Sequence, residues 1–150
     1  MSEDTSLKDR IDLVLEEIRV VVPGSQALLG FQLVALFSNG FLLLPQGLRE
    51  VHLASLGLIA LATILLMAPS AYHRIACRGE NSPAVHRFAS RMLIGAMFFL
   101  ISGLAADIWV ATYLVLGTNS AAWLAGGTCF VLALLLWFVY PAILARKRTG

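Results

Sequence analysis

An all-α membrane protein, a bundle of four transmembrane helices behind an amphipathic N-terminal helix, is what this sequence predicts. Three observations lead there. The first is composition: 59% of the 150 residues are apolar, 13% are charged, and the mean hydropathy is +0.81. A soluble domain carries about 25% charged residues. The second is segmentation. Four apolar stretches, Ser25–Leu44, Val51–Ala68, Met92–Leu116 and Ala121–Ile143, are each close to the roughly 20 helical residues that cross a hydrocarbon core of about 30 Å. The third is charge placement, which orients the spans. One short domain of this size leaves no room for a second, so 1–150 reads as a single membrane domain.

The element before the first span reads as a helix over 4–22. Leu7, Ile11, Val14, Leu15, Ile18 and Val22 recur at the spacing of one helical face, with charges opposite. Ser6, with Asp9 three residues on, resembles a capping box, and Pro23-Gly24 is the expected stop. Residues 1–19 hold six acids against three bases. An acidic face is repelled by anionic lipid and attracted by arginine. The helix is therefore expected to dock on the protein's own surface, with Glu16 and Glu17 near Arg74, Arg78 or Arg87.

Between the first two spans PQGLRE is a tight polar turn, and GTNS joins the last two. The second and third spans are joined by a long basic link, 69–91. Ten of the eleven lysines and arginines fall in the N-terminal segment, this link or the C-terminal tail, leaving Arg49 for the opposite side. The positive-inside rule then puts both termini and the link in the cytoplasm. The acidic N-terminus lacks the apolar core of a secretory signal. Cys77 lies in a charged segment and Cys129 in an apolar one, so no disulfide is expected between them, and no CxxC or CxxCH motif occurs.

Small residues mark packing faces. Gly103, Asp107 and Ala111 share one face at steps of four, and Gly30 and Gly126-Gly127 flatten others. Small side chains let membrane helices approach closely.

Chemistry centres first on Asp107, the one acid inside an apolar stretch. A charge near the bilayer centre costs about 2.5–3.5 kcal/mol on insertion scales, so it tends to face a cavity or a partner. A carboxylate so placed can exchange a proton during a working cycle, which is the physical basis of proton coupling. Asp107 lies sixteen residues beyond Arg91, about 24 Å at helical rise. Two readings follow. Asp107 faces a cavity, or it sits at outer headgroup level with Trp109 and Tyr113 as an aromatic belt. The same ruler brings Asn39 and Thr128 to its depth, with Gln32 nearer the cytoplasm. No basic residue is expected at that level, so the four form a candidate site for a proton or monovalent cation.

The second candidate is MAPSAYHR, 67–74. Pro69 is expected to stop or kink the helix. Tyr72, His73 and Arg74 would then lie at the lipid–water boundary, as interfacial anchors or as a cytoplasmic gate built with Glu16, Glu17 and Arg19. No two of the three histidines share a membrane helix face, so neither haem nor a metal is expected. The GxSxG, HExxH and phosphate-loop signatures of common enzymes do not occur. The expected protein is not an enzyme, binds no cofactor or nucleic acid, and lives in the lipid bilayer as a homo-oligomer or beside a membrane-protein partner.

EEIRVVVPGSQALLGFQL and LLMAPSAYHRI together resemble an uncharacterised family of small bacterial membrane proteins. Its pattern E-x-R-V-x-x-P-G-x-Q-A-L-x-G-F is matched by Glu17, Arg19, Val20, Pro23, Gly24, Gln26, Ala27, Leu28, Gly30 and Phe31. Its pattern M-A-P-x-A-Y-H-R is matched by Met67 through Arg74. Some members carry the label sodium:proton antiporter. The resemblance implies a bacterial inner-membrane location and directs attention to Glu17, Arg19, Gln26, His73 and Arg74. Ion- or proton-coupled transport through Asp107 is thus one expected function. The other is a non-catalytic accessory subunit that docks a partner through its acidic helix and basic link.

Overall fold

The computed structural model describes residues 2–78, 80 and 82–148 and forms only helices there. Helix α1 spans Ser2–Leu36, α2 Gln46–Ile75, α3 Pro83–Leu116 and α4 Asn119–Leu134. A π-helical turn, Leu135–Val139, then leads into α5, Tyr140–Arg148. Four helical stretches are long and apolar enough to cross a membrane, with 119–147 counting as one of them. The protein is a membrane-embedded helical bundle.

The first helix departs from expectation. Pro23-Gly24 does not stop it: α1 runs unbroken through Pro23, and the span ends at Leu36 rather than residue 44. Proline removes one N–H and crowds one carbonyl, a cost that neighbouring packing outweighs here. Ile11, Val14 and Ile18, before the proline, are buried, as is Ser25 after it. No separate surface helix forms, and Ser6 lies inside α1 rather than capping it. Pro69 behaves the same way, buried within α2, which continues to Ile75.

The basic link is mostly helix for the same reason. The true connection between α2 and α3 is 76–82, closed by Ser82, whose Oγ accepts the Val85 N–H ahead of Pro83 at the first helical position. Thirty residues of α2 and thirty-four of α3 measure about 45 and 51 Å at helical rise, well beyond a hydrocarbon core. Val14 and Ile18 of α1, Ile59, Ala62 and Leu66 of α2, and Ala89, Ala96 and Leu100 of α3 form one apolar core.

Among the described residues, no ion pair joins Glu16 or Glu17 to Arg74, Arg78 or Arg87. The N-terminal half of α1 is held by its apolar face instead. At the other end Gly117 takes a left-handed conformation (φ 69°) and closes α3 onto the Tyr113 carbonyl. The π turn answers to Pro141. That residue has no N–H for the carbonyl four back, and the Tyr140 N–H reaches five back to Leu135 instead.

Two glycines set the helix spacing. A Cβ on Gly103 would stand 2.7 Å from Ile59 Cγ1, and one on Gly126 2.8 Å from the Ala105 carbonyl oxygen and 2.9 Å from Trp109 Cβ. A Cβ on Gly30 or Gly127 would meet nothing within 4 Å.

Candidate functional site

The close approach at Gly103 brings three helices to one polar level. Ser55 of α2 donates to the Gly103 carbonyl at 2.9 Å. Gln32 of α1, 5% exposed, fills the third side. Its amide nitrogen donates to Ser55 Oγ and to Asp107 Oδ2, each at 2.6 Å. One NH₂ group, with two hydrogens, thus serves two acceptors.

His52, a turn before Ser55, completes the ring. Its Nε2 lies 3.2 Å from the Gln32 backbone carbonyl. A carbonyl can only accept, so Nε2 is the donor. On the opposite edge Nδ1 stands 3.7 Å from Asp107 Oδ1. With Nε2 committed, Nδ1 of a neutral ring bears a lone pair, and Oδ1 is an acceptor without a protein donor. Two lone pairs facing each other repel. One proton, on the imidazole or on the carboxyl, turns the contact attractive, and the arrangement has a place for one.

Asp107 and His52 line a cleft of about 470 Å³ between the ends of α1 and α3 and the α1–α2 connection. Its walls are largely apolar: Phe31, Phe41, Leu44 and Leu114 among them. Phe41, in the 3-10 turn Phe41–Leu43, packs its ring 5.5 Å from that of His52 and steadies it. Asp107 keeps 23% of its side chain exposed here, against 11% for His52. Asp107 thus lines a cleft. Trp109, two residues on, turns away to stack on Tyr113 and meet Trp123 of α4 edge-on.

The expected cluster is therefore half assembled. Gln32 and Asp107 meet; Asn39 and Thr128 do not join them. Asn39 sits exposed in the turn after α1, because the helix stops at Leu36. Thr128 is exposed in a groove beside Leu124 and Val131. It follows Gly126 by two residues, about 200° around the helix, and Gly126 is the face turned to α3. Direction around the helix was not legible from spacing. Histidine 52 corrects the expectation that Asp107 lacks a basic neighbour. The signal lay in the sequence as His52-x-x-Ser55, one turn apart on one face.

The cytoplasmic-face candidates do not converge on one site. Glu17, Arg19, Gln26 and Arg74 are exposed and His73 is half-buried, its Nε2 enclosed without a partner. Arg19 borders a notch with Ser70, Met67 and Pro23. Tyr72 stacks on Phe88 at 4.5 Å, pinning α2 to α3.

No curated protein and no solved structure matches the chain. A family model does, over residues 2–141. With a match of that extent, the chain belongs to a family of unknown function, DUF6328.

Proposed function

We propose that this protein carries out proton-coupled transport across its membrane, with Asp107 and His52 as the pair that takes up and releases the proton. The observation that carries the reading is the 3.7 Å approach of His52 Nδ1 to Asp107 Oδ1, two acceptors at the wall of a cleft. Gln32 holds the carboxylate from one side and the imidazole from the other, so loss or gain of the proton is felt by α1 as well as by α2 and α3. A bacterial inner-membrane location, with both termini and residues 76–82 cytoplasmic, is part of the proposal. So is assembly into an oligomer, since four helices leave little room for a full path within one subunit.

The test is flux. Wild type in vesicles with an internal pH dye is expected to move protons when a cation step is imposed, and Asp107→Asn to lose most of that movement. Undiminished flux in the variant would remove Asp107 from the mechanism.

A second reading, a non-catalytic accessory subunit, draws on α4. In the span 119–147 the most apolar window has no buried residue, so almost all of that helix is offered to lipid or to another protein. Purification in mild detergent with a stable membrane partner, together with no flux from wild type, would favour it.

A further inference from the structure

Among the cavities, the Asp107 cleft is the one whose lining has a formal charge, a buried amide and aromatic walls together. The groove of about 430 Å³ beside Trp109 and Trp123 has no charged residue, and lipid chains suffice to fill it. The notch at Arg19 has an exposed guanidinium and one hydroxyl but no buried polar group.

We propose that the Asp107 cleft binds a monovalent amphiphilic organic cation, a protonated amine on an apolar body, in exchange for the proton held with His52. The proposal rests on the proton-coupled reading and names its substrate class. Two features of the cleft choose that class. The Asp107 carboxylate and the amide of the 95% buried Gln32 are hydrogen-bonded to each other and so share one side. The other side-chain oxygen of the lining, Ser38 Oγ, donates to the Ala35 carbonyl, and Phe31, Phe41, Leu44, Val110 and Leu114 make up much of the rest. A bare metal cation demands oxygen on most sides. A ligand charged at one end and apolar elsewhere matches a one-sided site. Its volume, about 470 Å³, is that of a pocket for a drug-sized molecule. Phe31 and Phe41 add ring faces, which attract organic ammonium groups.

Charge accounting gives the exchange its ratio. With one proton shared, the Asp107–His52 pair is neutral overall. An ammonium group that pairs with the Asp107 carboxylate takes the role of that proton, which leaves to water while His52 stays neutral. One cation enters for each proton released. The groups facing Asp107 are few. Histidine 52 comes from α2 and Gln32 from α1, and α4 brings no charged residue to the cleft. Arg49 and Glu50 head α2 and, among the described residues, make no ion pair with Asp107.

The test uses the purified full chain in detergent with dansylcadaverine, a primary amine on an aromatic body, and its neutral N-acetyl derivative. The amine should bind saturably and the acetylated form about tenfold or more weaker, a difference of about 1.4 kcal/mol. Binding should release close to one proton per probe in weak buffer, and affinity should fall as pH is lowered. Asp107→Asn should abolish the proton release. Should that variant fail to fold, Ala111→Phe serves instead: Ala111 is exposed and lines the cleft, so the ring fills the space and leaves the polar network alone. It should lose probe binding and keep the proton pair. Equal binding of the acetylated probe, absence of proton release, or unimpaired binding to Ala111→Phe would each overturn the proposal. If vesicle proton flux depends on Asp107 while no amine binds, the substrate class alone is wrong. If flux ignores Asp107, the reading beneath it falls too.

Discussion

Gln32 does more than any other residue to define the polar level. Its side chain donates to Ser55 and to Asp107, and its backbone carbonyl accepts from His52. Replacing it by leucine keeps the bulk and the backbone acceptor for His52 but removes the donor to Ser55 and Asp107, leaving Asp107 Oδ2 without its amide partner. An unsatisfied buried polar group costs about 1–3 kcal/mol, more when charged. Gln32→Leu should therefore lower the unfolding midpoint in detergent clearly, while Gln26→Leu, on an exposed position of the same helix, should leave it nearly unchanged. An equal effect of the two would mean that the network is not satisfied as described. The sequence made Asp107 and Gln32 visible because a polar group in an apolar run is itself a signal. It hid His52 for a plain reason. Counting the span from Val51 put that histidine at the membrane edge, whereas α2 begins at Gln46 and His52 is already in its second turn.

At the scale of the helix, the informative residues are the ones that break local rules. Pro23 read as a stop and Pro69 as a stop or a kink, yet each is carried inside a helix. The apolar packing around Ile18 and Leu66 keeps the chain helical past the missing hydrogen bond. Periodicity showed the buried face of α1 through Ile11, Val14 and Ile18, but could not show that this face continues into the span. Glycine pairs were likewise legible as small residues and not as contacts. Gly126 abuts Ala105 and Trp109, whereas its neighbour Gly127 faces open space. Gly126→Ala should thus push α4 from α3 at a cost of about 1–3 kcal/mol, the usual range for overpacking. Gly127→Ala should cost little. Thermal unfolding of the two variants in the same detergent decides it; equal midpoints would refute the close approach.

The whole molecule is three long helices packed as a unit, with a fourth laid against α3. Its membrane character was plain from composition and segmentation, because four stretches are long and apolar enough to cross a bilayer. The orientation proposed for it has a native reporter. Cys77, partly exposed in the α2–α3 connection, should react with a membrane-impermeant maleimide only in inside-out vesicles, with Cys129→Ser as background. Labelling from the outer face of intact cells would invert the topology and open the cleft at the α1–α2 connection to the cytoplasm instead.

The central claim is that His52 and Asp107 share one proton, and nitrogen-15 resonances of the imidazoles report on it directly. The chain has three histidines, so His52 can be assigned by comparison with His52→Gln. In wild type at a fixed neutral pH, the Nε2 resonance should show a protonated nitrogen held by the Gln32 carbonyl, and the Nδ1 resonance should report the neighbouring carboxylate. Asp107→Asn should move the His52 Nδ1 resonance and leave the other two histidines unchanged. A His52 spectrum identical with and without Asp107 would contradict the account.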